Sequence, residues 1–242
     1  MCAIDLKNGI PEIKMQKPIK AIAFDAVGTL IQAVPSVAAA YQQAARNVGL
    51  EIDTETLRSR FYATFSTDNT QSDHQTNEAM ERARWRQIVG FCLPELGSEK
   101  ADTAFDELWE HFARPESWRL FDDVVPVIET VQKREIKMCV ASNFDSRLRT
   151  VWAGLKGVEP LSDHLVISSE VGVRKPGAMF YKAVAEHLDE PAGNILFVGD
   201  DWTNDIKAPQ EVGFQTLYID RKGHSSQQAT IRSLDKLLQS LT

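Results

Sequence analysis

Five short apolar runs, at residues 19–24, 138–141, 165–168, 195–198 and 214–219, punctuate this chain, and helical periodicity fills most of the space between them. Val124, Val127, Ile128 and Val131 recur at i, i+3, i+4 and i+7 just before the second run, and Met179, Phe180, Ala183 and Val184 mark another helix after Pro176. A last helix is expected from Ile231, Leu234, Leu237, Leu238 and Leu241. Strands that alternate with amphipathic helices imply a parallel sheet covered on both faces. The fold class expected is α/β.

Between the first two runs the pattern changes. Residues 34–118 carry no comparable strand signal and offer candidate helices at 37–48, 54–64, 77–91 and 101–112, with a polar loop at 66–77. The organisation expected is a flexible N-terminal extension (1–18), a sheet core built from 19–33 and 119–242, and a helical insertion (34–118). At 242 residues the chain is long enough to bury a full core.

Charge and cysteine usage narrow the partners. A net charge of −7 argues against nucleic-acid and anionic-membrane surfaces, which want clustered Lys and Arg. An anionic ligand must therefore find its positive charge locally. Three scattered cysteines, Cys2, Cys92 and Cys139, imply no disulfide framework and fit a reducing cytoplasmic compartment. No secretory signal or membrane-spanning run is read, and a monomer or homodimer is expected.

Four short segments carry the chemistry. Residues 21–24 deliver Asp25 into a turn, Asp25-Ala26-Val27-Gly28-Thr29-Leu30; the second run ends in Ser142-Asn143; Gly172-Val173-Arg174-Lys175-Pro176 puts a loop lysine before a helix; and Gly199-Asp200-Asp201-Trp202-Thr203-Asn204-Asp205 follows the fourth run. Carboxylates at the carboxyl ends of parallel strands stand where open α/β sheets bind ligands. In order and spacing these segments resemble the four motifs of the haloacid dehalogenase-like (HAD) hydrolase superfamily, subfamily I, whose helical cap lies between motifs 1 and 2. The resemblance spans roughly residues 19–219 and implies a Rossmann-like core with residues 34–118 as an α-helical cap.

It also implies roles. Asp25 would be the nucleophile. Asp25, Asp200 and the backbone carbonyl of Val27 would hold Mg²⁺, a hard cation suited to carboxylate oxygens. Lys175 would neutralise the nucleophile and the incoming anion, Ser142, Asn143 and Thr29 would donate hydrogen bonds to substrate oxygens, and Asp205 would orient Lys175 or a metal-bound water. Asp201 is expected to face solvent. Trp85, Arg86 and Trp109 in the insertion are expected in its core before a substrate pocket. The five histidines, His74, His111, His164, His187 and His224, have no ligand spacing and no expected part in the chemistry.

One departure matters most. The family's second motif-1 Asp, its general acid/base, is Val27 here. A positioned general acid contributes roughly 10²–10⁴-fold, so its loss favours leaving groups that need little protonation. Related enzymes without this Asp expel halide (Tyr at the position), a stabilised carbanion (Ala) or a nucleotide diphosphate (Thr). The reading is a Mg²⁺-dependent hydrolase of a small phosphorylated or otherwise anionic metabolite. The alternatives are a metal-independent 2-haloacid dehalogenase, closest to the Asp25–Leu30 string, and a catalytically weak member that binds a phosphometabolite or a protein.

Overall fold

The computed structural model describes residues 3–7, 10–14, 17–68, 74–223 and 230–241. In the segment expected to be a loose extension, β1 (Ala3–Lys7) and β2 (Ile10–Lys14) pair antiparallel with each other and, among the described residues, with no strand of the main sheet. The core begins at β3 (Ala21–Phe24), and β4 (Ile31–Ala33) leads out of it. Four helices follow: α1 (Val37–Asn47), α2 (Thr54–Asp68), α3 (Glu78–Cys92) and α4 (Ser98–His111). The chain returns through β5 (Trp118–Leu120), antiparallel to β4. Then come α5 (Val124–Lys133), β6 (Lys137–Ser142), α6 (Arg147–Gly154), β7 (Leu165–Ile167), α7 (Ser168–Val171) and α8 (Ala178–Leu188). The chain closes with β8 (Ile195–Gly199), α9 (Ala208–Glu211), β9 (Gln215–Ile219), β10 (Thr230–Ile231) and α10 (Leu237–Ser240).

Six strands form one parallel sheet in the order β10-β9-β8-β3-β6-β7. The twofold alternation of a strand splits each run between two faces. Ile22, Phe24, Val140, Leu196, Val198, Leu217 and Ile219 pack on one side with Val127 and Ile128 of α5 and Val151 and Trp152 of α6. Ala21, Ala23, Cys139, Ala141, Ile195 and Phe197 pack on the other with Phe180, Tyr181 and Val184 of α8. Small residues on the second face let α8 lie close, and its aromatic side chains fill the space.

The inserted helices have a third cluster of their own, with Tyr41, Ala44, Leu57, Ile88, Val89, Phe105 and Leu108 buried at its centre. Ser36 and Asn77 begin α1 and α3 by accepting from the Ala39 and Met80 amides, which supplies partners to otherwise orphaned N–H groups. Among the described residues no helix is long and apolar enough to cross a membrane.

Two elements differ from expectation. Ile231, assigned above to a final helix, lies instead in β10 opposite Ile219, and the helix is confined to Leu237–Ser240 after a 3-10 turn at Leu234–Lys236. The open edge of β9 offers unpaired backbone groups, and pairing them outweighs the helical spacing of the leucines. The polar loop expected at 66–77 is also shorter: α2 runs on to Asp68, and Gln75 makes an antiparallel bridge with Val173. Positions 69–73 of that loop lie outside the described residues.

Candidate active site

Register brings the site together. Phe24 is level with both Val140 and Val198, so the chain leaves β3, β6 and β8 at the same end of the sheet. The Asp25 amide still bonds the Val198 carbonyl at 2.8 Å, which holds the aspartate at the strand tip. Gly28 then takes φ +92°, which a side chain would resist, and an added Cβ would lie 2.2 Å from Asp200 Oδ2. The absence of that carbon lets Asp200 lie against the Asp25 turn. Gly199 leaves similar room for Asp205, 2.3 Å from its own missing Cβ. Replacing Gly28 with Ala is expected to displace Asp200 and cost at least about 1 kcal/mol in the strained turn. A thermal melt and a hydrolase assay on Gly28→Ala would check this, with activity falling much further than stability.

Asp25, Asp200 and Asp205 converge, each offering a carboxylate oxygen within 4.8 Å of the others. Asp25 and Asp205 are buried and Asp200 is open to solvent. Lys175, itself buried, reaches Asp25 Oδ1 and Asp205 Oδ1, each at 2.7 Å. Three carboxylates thus face one ammonium. Burial alone would lower the Lys175 ammonium pKa, but Asp205 and Asp25 hold it above its ordinary value, so the lysine stays charged. Burial raises Asp205, Lys175 pulls it back and Asp25 pushes it up again, leaving it at about 7. Although Asp200 is exposed as a residue, its carboxylate lies against the Gly28 turn, and the hydration lost there, then the charges of Asp25 and Asp205, lift it well above the usual carboxylate range. The cluster is short of positive charge.

The other expected site residues divide. Ser142 ends β6, buried beside the nucleophile strand. Thr29 is fully buried, and its Oγ1 has no hydrogen-bond partner among the described residues. Asn143 is engaged with the lysine's peptide groups: its Oδ1 accepts from the Lys175 amide at 2.7 Å and its Nδ2 donates to the Lys175 carbonyl at 2.9 Å. It therefore fixes the lysine's backbone, because a side-chain amide matches a peptide group edge to edge. Val27 is 37% exposed, with its side chain toward solvent. Asp201 does more than face solvent: its carboxylate accepts from the Asn204 amide, and its own amide donates to Asp205 Oδ2 at 2.9 Å. A π-helical turn over Trp202–Lys207 follows, a form common at functional sites.

Several neighbours carried no sequence signal. Tyr181 of α8 donates to the Asn204 carbonyl from beneath the site, while Asn204 Oδ1 is buried without a partner among the described residues. Arg221 grips the Thr29 carbonyl. Glu78, at the start of α3, accepts from the Ser146 amide and hydroxyl at 2.9 Å and from the Ser169 hydroxyl at 2.5 Å, tying the inserted helices to the loop after β6 and to α7. The Thr76 amide and the His74 carbonyl pair with Gly172 and Arg174, immediately before Lys175.

Trp85 and Trp109 pack against the insertion's cluster, whereas Arg86 lies exposed on its surface and not in the core expected of it. Trp85 stacks on Phe61, Arg86 pairs with Asp102 at 3.1 Å, and Trp109 is covered by the Arg147 guanidinium, 3.3 Å from its ring centre. His164 and His187, far apart in sequence, meet at 3.3 Å on the surface outside this cluster. His224 lies outside the described residues.

A family model described as haloacid dehalogenase-like hydrolase matches residues 19–213. The chain belongs to that family of hydrolases. Its relatives include the haloacid dehalogenase-like hydrolase domain-containing protein 3 of Mus musculus, 28% identical over 210 residues that cover 83% of this chain and 82% of that one. The ribulose-1,5-bisphosphate 5-phosphatase of Halopiger xanaduensis is 23% identical over 211 residues, covering 83% and 84%. Among solved structures, an L-2-haloacid dehalogenase superposes with a TM-score of 0.71 at 23% identity, covering 93% of this chain and 99% of that one. The HAD-hydrolase YfnB of Bacillus subtilis bound to magnesium gives 0.68 at 17%, covering 93% and 100%. At these identities the structural likeness speaks to the fold, which is the Rossmann-like α/β fold of HAD hydrolases.

Proposed function

We propose that this HAD hydrolase is a Mg²⁺-dependent phosphatase of small phosphorylated metabolites, with Asp25 as nucleophile and no general acid at Val27. The observation that carries the reading is the convergence of Asp25, Asp200 and Asp205 on a single lysine. An all-oxygen, over-anionic donor set fits a hard divalent cation, and aligned carboxylates without one repel. Asp25, Asp200 and the Val27 carbonyl would hold Mg²⁺, which when bound neutralises charge on the cluster and on the transferring phosphoryl group.

The protein's own groups do the rest. Lys175 occupies Asp25 Oδ1, leaving Oδ2 as the attacking oxygen. Attack on phosphorus forms an aspartyl phosphate as the bond to the leaving oxygen breaks, with that oxygen taking its proton from solvent; water then attacks phosphorus, loses a proton to solvent, breaks the acyl-phosphate bond and restores Asp25 with release of phosphate. Asp205 holds the lysine from its far side, and Asn143 fixes its backbone. Ser142 and the unpartnered Thr29 hydroxyl would receive the anion's oxygens. The helices 34–118 act as the cap over this end of the sheet, and residues within them select the substrate. A phosphorylated substrate is in keeping with the ribulose bisphosphate phosphatase relative, and the buried free thiols Cys92 and Cys139 suit a cytoplasmic location.

A second reading, a metal-independent haloacid dehalogenase, draws on Val27, which places an exposed apolar group where a phosphatase would keep an acid. The deciding experiment is a screen of phosphate esters and 2-haloacids with Mg²⁺ or with EDTA. Phosphate release only with Mg²⁺ is expected, and halide release in EDTA would overturn the phosphatase reading. Asp200→Ala is expected to weaken Mg²⁺ binding by at least about tenfold, since each ligand counts at a site with few protein donors. Titration calorimetry checks this, and equal affinity in the variant would remove Asp200 from the metal site.

A further inference from the structure

Arg221, just beyond β9, sits behind the nucleophile turn. Its Nε and Nη2 donate to the Thr29 carbonyl at 3.0 and 2.6 Å. The same guanidinium forms a two-pronged pair with Asp123, Nη1 to Oδ2 at 2.9 Å and Nη2 to Oδ1 at 3.0 Å, and lies 3.8 Å from the centre of the Phe121 ring. Both partners are largely buried, with side-chain exposures of 12% and 9%. Asp123 precedes α5 but makes no capping bond to that helix. Its carboxylate instead accepts from the Leu234 amide at 2.7 Å and the Ser233 hydroxyl at 2.9 Å.

The turn it holds is closed mainly by its own backbone. Gly28 bonds Ile31, Leu30 and Ile31 both bond Ala26, and the Leu30 carbonyl accepts from Phe121. The Thr29 carbonyl is met from beyond the turn, by Arg221. A guanidinium suits this better than an ammonium, because its planar fork serves a carbonyl and a carboxylate at once while its face stacks on an aromatic ring. We propose that Arg221 is a positioning residue for the nucleophile: with Asp123 it forms a relay from the C-terminal segment to the turn that carries Asp25 and Val27. Its catalytic consequence rests on the reading of Asp25 as nucleophile; the mechanical consequence does not. Misplacing a reacting group by about 1 Å can cost on the order of 10²-fold, which is the scale at stake.

An open groove of about 460 Å³, lined in part by Phe121, Asp123, Pro126, Arg221 and Ser233, reaches this guanidinium from solvent. Chemical rescue is therefore available. In Arg221→Gly, kcat is expected to fall roughly 10- to 100-fold with KM changed by less than about threefold, and free guanidinium well below denaturing concentrations should restore part of it. Arg221→Lys should not recover the rate, since charge returns without the fork. Hydrogen exchange at the Leu30 and Ile31 amides should quicken about tenfold or more, those of Ile22 to Phe24 should not, and guanidinium should reverse the change.

A folded Arg221→Gly with wild-type kcat, or a loss that guanidinium leaves untouched, would overturn the proposal. If Arg221→Gly does not fold, Asp123→Asn must show the same selective exchange, and unchanged exchange there is equally fatal. Should the unmodified protein turn over no phosphate ester, the fault lies with the proposed reaction, and exchange at Leu30 and Ile31 still decides whether Arg221 holds the turn.

Discussion

Asp25→Asn is expected to reduce turnover by at least about 10⁴-fold while leaving the protein folded, the scale on which removal of a covalent nucleophile acts. An amide oxygen can still accept from Lys175, which lies 2.7 Å from Asp25 Oδ1. Removing one of three converging carboxylates also relieves repulsion, so the melting temperature should hold or rise. Steady-state assays on phosphate esters, with a thermal melt alongside, check both parts. Beryllium fluoride should protect Asp25 in the unmodified protein and do nothing in the variant. Retained turnover in Asp25→Asn would place the chemistry elsewhere in the molecule.

Val27→Asp is the second large effect, and its sign is a gain. If a missing general acid limits the reaction, the new carboxyl should speed hydrolysis of alkyl phosphates more than that of aryl phosphates. Alkoxides need a proton to leave, and phenolates much less. The ceiling is the roughly 10²–10⁴-fold contribution of a general acid, and an unoriented carboxyl will reach only part of it. Since Val27 is 37% exposed, the new acid stays hydrated and costs little stability through burial. A fourth carboxylate near Asp25 and Asp200 should, however, raise the demand for the cation. The diagnostic is the alkyl-to-aryl ratio at saturating Mg²⁺. An unchanged ratio would mean that Val27 does not set the reaction, and the dehalogenase reading would gain.

The contrast between Asn143 and Lys175 shows how far motif reading goes. The motifs mark both residues for anion binding, and both lie at the site. Lys175 points into the carboxylates, whereas Asn143 is turned to the lysine's own backbone. Residue type and order told which side chains gather there. They did not tell which atom of each is already satisfied, because that depends on a hydrogen-bond partner 32 residues away.

What the sequence determined by itself was periodic or local: the parallel α/β core, the four helices of the insertion, and the strand-end placement of Asp25, Ser142 and Asp200. Strand and helix periods, glycine turns and N-terminal capping residues act over a few positions and are written in consecutive letters. What only the tertiary structure decided was long-range and polar. Ile231 joined the sheet because an open edge at β9 needed partners, and Glu78 and Arg221 found their roles at sequence separations of 91 and 192. A buried charge or carbonyl is satisfied by whichever donor the folded backbone brings within about 3 Å, and no local pattern encodes that meeting.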